Sequence, residues 1–418
     1  MVPARDSDTA SDTASGTRVT VVGIGADGWA GLTDPARAAL RAAAAIAGSE
    51  RQLELLPDPP DVAARRVPLP SPLLEKLDGL VRDHPGLCVL ASGDPMLHGI
   101  GATLARWLGP GRLRILPAVS SPALACARLG WPEHDVTVVS LVSRPPETVL
   151  AALQPGARLL VLCRDRTTPA LAAKLLTGAG WGASELTVLE QLGGRGERVT
   201  GPQPAERLEG TEFGDLCVMA IKARAGAAAR ATTRVPGLPD DAYESDGQLT
   251  RRELRALALA ALRPGPHQLL WDVGAGSGSV GIEWMRADPL ARAIAVEARP
   301  DRAARAGRNA AALGVPGLQV VTGTAPDALA GLPAPDAVFI GGGLTAGGLV
   351  EACWPRLRPG GRLVAHAVTL ESEALLHRWQ QAEGGELIQV AVSYARPLGR
   401  FTAWQPAHPV TQWQVTRP

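Results

Sequence analysis

The sequence has 418 residues, which is long enough for two or three domains. Hydrophobic residues make up 46% of it and charged residues 20%, a balance typical of globular proteins with buried cores. The formal net charge of +1 argues against a nonspecific nucleic-acid-binding protein, which would carry a strong basic surplus.

The cysteines, the histidines and the N-terminus indicate the compartment and exclude several classes. The five cysteines are scattered and form no C-x-x-C, which is typical of reduced thiols in a cytoplasmic protein. The seven histidines form neither H-x-x-x-H nor HExxH, so we expect no metal site. No apolar run is long enough to span a membrane. Residues 1–16 are polar and lack the apolar core of a signal peptide, so we expect a disordered tail.

After this tail, strand-like and helix-like runs alternate over residues 17–222, which predicts an α/β domain. A helix is predicted over LTDPARAALRAAAAIAG (32–48), with Thr33 or Asp34 as its cap and Pro35 in its first turn. The predicted strands are, in chain order, RVTVVGIG, GLCVLASG, RLRILPAV, VTVVSL, ARLLVLCR, LTVLEQLG and DLCVMAIKA.

A second α/β domain is predicted over residues 248–418. Residues 223–247 have no hydrophobic period and are rich in Ala, Gly, Pro and acids, as expected of an interdomain linker. The helix LTRRELRALALAAL follows, with Thr250 predicted as its N-cap and Glu253 completing a capping box. The predicted strands of this domain are HQLLWDVGAG, ARAIAVEA, LQVVTGT, PDAVFIGGG and GGRLVAHAV.

Each domain carries a G-x-G-x-x-G pattern where a strand ends. One lies in VVGIGADG (21–28) and the other in DVGAGSGSVGIE (272–283). An acid follows each pattern about twenty residues later, Glu50 in the first domain and Glu297 in the second. This is the usual signature of a dinucleotide site, so two nicotinamide or flavin sites are one interpretation.

The acids of the second domain favour a different ligand. Asp272 ends a strand two residues before the first glycine of the loop. A pyrophosphate binds a bare helix N-terminus, whereas an acid at this place fits a cation, such as the amino and sulfonium groups of S-adenosylmethionine (SAM). Glu297 closes the next strand, where an acid can bind ribose hydroxyls. Either acid could instead be a helix cap or a solvated loop end. Together with Gly323–Leu329 and the end of PDAVFIGGG, these residues predict one crevice, typical of a SAM-dependent methyltransferase.

The first domain carries two further motifs at strand ends, SGDP (92–95) and LPAVSSP (116–122). SGDP is a compact turn that exposes backbone groups, with Asp94 available for an amine or a hydroxyl. Taken alone, the two motifs could simply be a β-turn and a helix start. After V-x-G-I-G, and in this order, they resemble the tetrapyrrole methylases of the cobalamin pathway. That family also uses SAM, which lies in a cleft between two α/β lobes. The turn of the first glycine loop departs from the family, with Ala26-Asp27-Gly28 in place of the usual Pro-Gly.

The second half, with LPDDAYESDGQLTRRELRALAL before DVGAGSGSVGIE, is similar to a partner enzyme of the same pathway. In this order the halves resemble the family of fused, decarboxylating precorrin C5,C15-methyltransferases, and the resemblance covers nearly the whole chain after the tail. It implies a bilobal tetrapyrrole methylase fold, then a Rossmann-like class I SAM methyltransferase fold, with one SAM site in each. Together with Asp272, the cofactor-binding residues carried over by position are Gly23, Gly25, Gly93, Asp94, Pro95, Ser120, Ser121, Thr250, Gly274, Ala275, Gly276, Ser277, Gly278, Glu297 and Ala325.

The resemblance also implies the reaction. The first domain would methylate precorrin-6B at C5, and the second would methylate C15 and decarboxylate the acetate on ring C (C12), giving precorrin-8X. The meso carbons are enamine-like, so alignment and exclusion of water are the main tasks of the protein and no general base is predicted. Arg144, Arg251 and Arg252 could bind substrate carboxylates or be solvated charges. His98 could move a proton or be a satisfied loop residue, and Trp271 and Trp284 fit the core better than a substrate platform.

Three rival interpretations remain at this point. A NAD(P)-linked oxidoreductase would explain the glycine patterns, but Asp272 and SGDP argue against it. A nucleic-acid base methyltransferase would need a basic face and a motif such as Asn/Asp-Pro-Pro-Tyr, where this chain has IGGG. A decayed, scaffolding domain would bind no SAM. The expected partner is a small tetrapyrrole, with no nucleic acid or membrane. The sequence does not decide between a monomer and a homo-oligomer.

Overall fold

The computed structural model describes residues 18–208, 210–229 and 233–418, so the tail predicted over 1–16 lies outside the described residues. The described chain divides into two compact units. The first contains residues 18–144, Gly156–Thr177 and the described part of Gly182–Arg224. The second contains Pro145–Pro155, Gly178–Trp181 and the described residues of Ala225–Pro418.

The first unit begins with a five-stranded parallel sheet in the order β3-β2-β4-β1-β5. Its elements are β1 (Val19–Ile24), α1 (Asp34–Ala42), β2 (Ala45–Gly48), α2 (Glu50–Glu54), β3 (Arg65–Pro68), α3 (Leu73–Asp83), β4 (Leu87–Ser92), α4 (Ile100–Leu108), β5 (Leu113–Leu116) and α5 (Ser121–Leu129). Nearly every residue of β1 and β4 is buried, as expected of parallel strands covered on both faces. Because β1 lies between β4 and β5, the first glycine loop, SGDP and LPAVSSP share one edge of the sheet.

The alanine-rich segment after α1 differs from the prediction. Thr33 caps α1 by accepting a hydrogen bond from the Ala36 N–H, and Pro35 lies in the first turn, as predicted. The helix ends at Ala42, however, and Ala45–Gly48 is the buried strand β2, paired on both sides. The prediction of one helix over 32–48 was therefore wrong, because pairing within the sheet overrides the helix propensity of alanine.

A second, mixed sheet completes the first unit. Its elements are β6 (Val136–Ser140), β7 (Arg158–Leu162), α6 (Thr168–Gly178), β8 (Glu185–Glu190), β9 (Arg198–Pro204) and β10 (Cys217–Lys222). The strand order is β6-β7-β10-β8-β9, and only β6 and β7 are parallel neighbours. Every strand predicted for the first domain is present, whereas β2, β3 and β9 were not predicted.

The second unit is built on a seven-stranded sheet in the order β13-β12-β11-β14-β15-β19-β16. Its elements are α7 (Arg252–Leu262), β11 (Leu269–Val273), α8 (Ser279–Ala287), β12 (Arg292–Glu297), α9 (Pro300–Ala312), β13 (Gln319–Thr322), β14 (Ala337–Ile340), α10 (Leu349–Cys353), β15 (Arg362–Ala367), α11 (Leu370–Glu383), β16 (Glu386–Val390), β17 (Ser393–Leu398), β18 (Phe401–Pro406) and β19 (Val410–Thr416).

The topology of this sheet positions a ligand site. The strands from β13 to β15 are parallel, and β19 runs antiparallel to both of its neighbours. The chain moves outward from β11 to β12 and β13, and then returns to the other side of β11 as β14. This reversal opens a crevice at the carboxyl ends of β11 and β14, the usual ligand site of open α/β sheets.

The start of α7 also differs from the prediction. Arg251 occupies the cap position without a capping side chain, and Thr250 lies one residue earlier. The Thr250 carbonyl accepts a hydrogen bond from the Arg255 guanidinium, and the Glu253 carboxylate accepts one from the Tyr394 hydroxyl at 3.0 Å. The predicted capping box was wrong, because tertiary contacts shift the helix start and engage Glu253.

A buried ion pair fixes the segment before α7. The Glu283 carboxylate accepts hydrogen bonds from Arg255 Nε (2.6 Å), the Tyr243 hydroxyl (2.8 Å) and the backbone N–H groups of Gly237 and Leu238. Burial, and then the Glu283 charge, raise the pKa of Tyr243 well above its usual value. Removing one partner of such a pair typically costs about 3–5 kcal/mol. Part of the segment predicted as a linker therefore belongs to the core of the second unit.

Candidate functional site

In the second unit, the loop between β11 and α8 is built from glycines in left-handed conformations. The φ angles of Gly274, Gly276 and Gly278 are 70°, 57° and 76°. A Cβ atom on Gly274 would lie 2.8 Å from the backbone of Gly342 in the loop after β14. Only glycine fits there. Without side chains in the way, a ligand can approach the backbone N–H groups of this loop closely.

Asp272 is a buried carboxylate beside this loop. Its side chain is 1% exposed, and Oδ2 accepts a hydrogen bond from the N–H of Gly281 in α8 at 2.9 Å. Burial raises the pKa of Asp272 to about 7; the Gly281 hydrogen bond opposes this shift, and the Glu297 charge adds to it. Among the described residues, no cationic side chain acts on Asp272. A cationic ligand could therefore stabilise its ionised form.

Glu297 ends β12 and touches the same loop. Its Oε2 accepts a hydrogen bond from Gly276 N–H at 2.8 Å, and its Oε1 accepts one from Arg299 N–H at 3.0 Å. A carboxylate has about four acceptor positions, so two remain for other donors. A diol such as that of a ribose could supply both.

Asn309 joins the glycine loop to the segment before α7. Its side chain is 3% exposed, and Nδ2 donates to the carbonyls of Ser277 and Glu244, both at 3.0 Å. Its Oδ1 accepts from Glu244 N–H at 2.8 Å. A Cβ on Gly276 would lie 3.7 Å from the Gln248 carbonyl oxygen, so this segment passes close to the loop. No sequence signal marked Asn309, which lies within a helix of Ala and Arg.

The other predicted residues of this unit lie around the same edge. Ala275 and Ser277 belong to the loop, and the buried Ser277 hydroxyl has no hydrogen-bond partner in the part of the chain that the structure describes. The loop that holds Ala325 follows β13, and its Gly323 N–H donates to the Glu297 carbonyl at 2.9 Å. Thr250 lies two residues after Gln248. An unsatisfied buried hydroxyl is costly, so this loop fits a ligand that supplies polar atoms.

In the first unit, a cavity of about 470 Å³ lies at the shared edge of the first sheet. Five of the predicted residues line it: Gly25, Gly93, Asp94, Ser120 and Ser121. Residues of the second sheet and its loops, including Leu162 and Val218, line it as well. The cavity therefore lies between the two sheets of this unit.

Gly23 and Pro95 lie behind this lining. A Cβ on Gly23 would overlap the Gly93 carbonyl oxygen and lie 2.5 Å from Ala118 N. The Gly93 N–H donates to the Ile24 carbonyl at 3.0 Å, and the Ala118 N–H donates to the Gly93 carbonyl at 3.3 Å. Gly23 therefore brings three strand-end loops together, which no larger residue would allow.

Local hydrogen bonds hold the motif side chains of the first unit. Asp94 Oδ1 accepts from Met96 N–H at 2.8 Å, and Ser120 Oγ accepts from Ala123 N–H at 3.2 Å at the start of α5. SGDP and LPAVSSP are thus a turn and a helix start that also face the cavity. Glu50, the acid of the dinucleotide pattern, is exposed and is not among the cavity-lining residues.

The remaining candidates fall into different places. His98 lines the cavity, and burial together with the Arg144 charge lowers its pKa. Arg251 pairs with Asp240 at 3.3 Å. Arg144 is exposed and is not among the cavity-lining residues, and Arg252 is exposed at the start of α7. Trp271 and Trp284 are buried in the core of the second unit, as predicted.

Sequence reasoning missed several polar residues of the cavity. Arg51 and Gln52 line one side of it, beside Ser92 of the SGDP motif, and Arg164 lines another. Arg51 and Gln52 lie in the first turn of α2, just after β2. The segment of β2 was predicted as the end of a helix, and that error hid their position near a strand end. Within the described ranges, no three His, Cys, Asp or Glu side chains come together as a metal site. None of the described helices combines the length and apolarity needed to cross a bilayer.

Comparison with known proteins identifies both halves. The family model "Tetrapyrrole (Corrin/Porphyrin) Methylases" matches residues 18–208, and the model "Precorrin methyltransferase domain" matches residues 241–417. The N-terminal tetrapyrrole methylase fold and the C-terminal methyltransferase fold predicted from the sequence are confirmed.

Relatives extend the match to the whole chain. A Sinorhizobium precorrin-6Y C(5,15)-methyltransferase [decarboxylating] is 48% identical over 400 residues, which cover 96% of each chain. Its Mycobacterium tuberculosis counterpart is 46% identical over 409 residues, covering 96% of this chain and all of that one. The crystal structure of the C-terminal domain of a Rhodobacter capsulatus precorrin-6Y C5,15-methyltransferase is 47% identical, covers 44% of this chain and 100% of that one, and has a TM-score of 0.43. Since the match runs through both units with few residues left over, the chain belongs to the family of decarboxylating precorrin-6Y C(5,15)-methyltransferases.

Proposed function

We propose that this protein methylates precorrin-6B at C5 and C15 with SAM and decarboxylates the C12 acetate, giving precorrin-8X in cobalamin biosynthesis. The observation that carries the proposal is the similarity to relatives named for this activity over 96% of the chain. Family membership makes the protein a methyltransferase.

The proposal assigns one methylation to each half. Residues 17–222 would methylate C5. Residues 248–418 would methylate C15 and decarboxylate, together with the part of the predicted linker (223–247) that packs into the second unit. A Pyrobaculum calidifontis protein supports this division. It is named a probable cobalt-precorrin-6B C(15)-methyltransferase (decarboxylating) and is 35% identical over 182 residues, 42% of this chain and 93% of its own. A half-length protein is thus named for the C15 reaction alone.

SAM, when bound, supplies an electrophilic methyl group on a sulfonium. In the second unit we assign its binding to Thr250, Asp272, the Gly274–Gly278 loop, Glu297 and Ala325. The uncompensated Asp272 carboxylate suits a cation, and Glu297 has acceptor positions left for a diol. In the first unit we assign a second SAM to the cavity edge, at Gly23, Gly25, Gly93, Asp94, Pro95, Ser120 and Ser121.

The residues of this chain would mainly bind, orient and exclude water. A meso carbon of a reduced tetrapyrrole is already nucleophilic, so positioning it near the methyl donor supplies much of the rate acceleration. The electrons released by decarboxylation enter the conjugated ring, and a proton replaces the carboxyl group. We assign no general base.

The proposal also includes a cytoplasmic location and a small-molecule substrate, without a nucleic-acid or membrane partner. The five cysteines are free and buried, which suits a reducing compartment. A homo-oligomer is compatible with the proposal.

A mass spectrum of the product tests this function. The protein is incubated anaerobically with SAM and precorrin-6B. Gain of two methyl groups with loss of one CO2 is the expected result. One methyl group without CO2 loss would contradict the assigned role of the second unit, and an unchanged substrate would contradict the choice of precorrin-6B.

A further inference from the structure

Arg51 is a partly buried cation on the cavity wall of the first unit. It follows β2 in α2, and its Nη2 donates to the hydroxyl oxygen of Ser92, at the end of β4, at 3.0 Å. Other arginines of this unit pair with acids, as in Arg128–Glu197. Arg51 has no acidic partner among the described residues. Burial accordingly lowers its pKa, as expected of a guanidinium that no carboxylate stabilises.

Ser92 is held so that its proton points away from its two partners. Its oxygen accepts hydrogen bonds from Arg51 Nη2 and from Gln52 Nε2, the latter at 3.1 Å. These bonds use both lone pairs, so the hydroxyl can only donate to a further group. Ser92 is exposed on the cavity wall. Arg51 and Ser92 therefore offer hydrogen-bond donors and no acceptor to the cavity.

Gln52 makes this arrangement rigid. Its side chain is 6% exposed, and its Oε1 accepts from Ser49 N–H at 2.9 Å. Ser49 Oγ in turn accepts from Gln52 N–H at 3.4 Å, which completes a capping box. The orientation of Ser92 is thus fixed by a buried side chain, as in a preformed binding site.

Two acids line the cavity, Asp94 and Asp215, and neither forms an ion pair with Arg51 or Arg164. Asp94 accepts from Met96 N–H, and Asp215 pairs with Arg166 at 3.6 Å. On the wall formed by the second sheet, Arg164 is held by the Val142 and Arg144 carbonyls, both at 3.2 Å, and has no acidic partner within the described ranges. The cavity therefore presents two uncompensated guanidinium groups from two different sheets.

We propose that Arg51 and Ser92 form a carboxylate-binding subsite in this cavity, with Arg164 as a second cationic contact. The inference rests on the proposed function and names the part of the substrate that this site would hold. A guanidinium and a hydroxyl donor match the acceptor-only oxygens of a carboxylate. The carboxylate belongs either to an acetate or propionate arm of the tetrapyrrole or to the methionyl end of SAM.

The test compares Arg51→Gln and Ser92→Ala with Arg106→Gln. Arg106 is a matched control, since this exposed arginine of α4 lies outside the cavity lining and has no acidic partner among the described residues. Three experiments are made on the full chain: steady-state kinetics of C5 methylation for KM and kcat, precorrin-6B binding without turnover, and a SAM titration. Thermal unfolding shows whether the variants are folded.

If the subsite holds an arm of the tetrapyrrole, Arg51→Gln weakens precorrin-6B binding by about 10-fold or more and leaves SAM affinity unchanged. If it holds the methionyl carboxylate, the affinity for one of the two SAM molecules falls by a similar factor instead. Folded variants that match Arg106→Gln in both titrations would overturn the inference.

Failure of the inference can be distinguished from failure of the proposed function. C15 methylation and CO2 release are followed in the same incubation, and the wild type must show them for the proposed function to hold. A wild type that converts precorrin-6B, with an Arg51→Gln variant of equal C5 activity and equal affinities, would refute only the subsite. A wild type that neither binds nor converts precorrin-6B would refute the proposed function. The subsite would then stand only as a site for the methionyl carboxylate, and only if Arg51→Gln lowers SAM affinity relative to Arg106→Gln.

Discussion

The two glycine loops share one sequence pattern but are built differently. After β11, the glycines form the loop itself with positive φ angles, and two buried carboxylates, Asp272 and Glu297, lie beside it. After β1, the tightest glycine is Gly23, still within the strand, where it allows the loops after β4 and β5 to approach. The acid spaced like Glu297 is Glu50, which is exposed.

This difference shows that G-x-G-x-x-G indicates backbone conformations and close approaches that glycine allows, and does not identify the ligand. In the second unit it permits a loop with positive φ angles next to two acids, which suits a cationic ligand with a diol. In the first unit it permits close packing of strand ends around a cavity between two sheets. The neighbouring side chains distinguish the two sites.

The largest expected effect concerns Asp272→Asn in the second unit. The pKa of Asp272 is about 7 in the fold against a usual value of 3.8. Ionising the buried carboxyl group is unfavourable in the folded state. The stability that the protonated Asp272 contributes is therefore fully present below about pH 4 and is lost as pH rises through 7. Asparagine has no such cost, so the variant should gain stability relative to the wild type between about pH 4 and 7, by at most about 4 kcal/mol without SAM.

Urea unfolding of both proteins at several pH values, followed by tryptophan fluorescence, measures this difference. Comparison of variant and wild type cancels the contributions of the other acids. A difference that does not change with pH would show that Asp272 is ionised throughout, contrary to the account.

Gly23→Ala tests the packing role of the first glycine. The new Cβ would meet backbone atoms of Gly93 and Ala118, which cannot rotate away. We expect a loss of about 3 kcal/mol in the free energy of unfolding and loss of C5 methylation, with C15 methylation retained. Gly111→Ala is the control, because a Cβ there meets nothing within 4 Å. Equal stability of the two variants, by urea unfolding, would refute the close approach.

Gly274→Ala tests the glycine loop between β11 and α8. The positive φ angle and the 2.8 Å approach of Gly342 should cost about 2 kcal/mol and displace the loop. We expect loss of C15 methylation and of CO2 release, measured on the product by mass spectrometry, while C5 methylation persists. Gly307→Ala, in an open position of α9, should leave both reactions unchanged. Persistent CO2 release by Gly274→Ala would argue against this loop as the site.

The smallest effects are expected at the two acids that follow the glycine patterns, Glu297 and Glu50. Glu297→Gln keeps one acceptor oxygen but replaces the other with a donor facing an N–H group, so SAM affinity in the second unit should fall about 10-fold. Glu50→Gln should change neither SAM affinity, because Glu50 is exposed and is not among the cavity-lining residues. Calorimetric titration checks both. A clear loss of SAM affinity in Glu50→Gln would restore a dinucleotide-like role for the first loop.

Much of the fold could be predicted from the sequence because its parallel strands are continuous apolar runs. LLWDV and VTVVGI are buried almost throughout, and such runs are legible without an alignment. The strand Ala45–Gly48 could not be predicted, since alanine favours helices and only pairing with β3 and β4 makes this segment a strand. The start of α7 could not be predicted for a related reason, because the hydroxyl of Tyr394, which is distant in the chain, donates a hydrogen bond to Glu253.

The candidate sites were predictable where chemistry and chain position coincide. Asp272 and Glu297 end strands beside a glycine loop, so the sequence placed them. Asn309 and Ser92 matter through partners distant in sequence, Glu244 for one and Arg51 for the other, and no local pattern reveals those pairs.

The central claim is that each of these unlike loops serves its own SAM molecule. Calorimetric titration of the full chain with SAM, for the wild type and for Gly274→Ala, tests it most directly. We predict two SAM molecules per wild-type chain and one per Gly274→Ala chain. One molecule per wild-type chain, or two per variant chain with unchanged affinities, would contradict it.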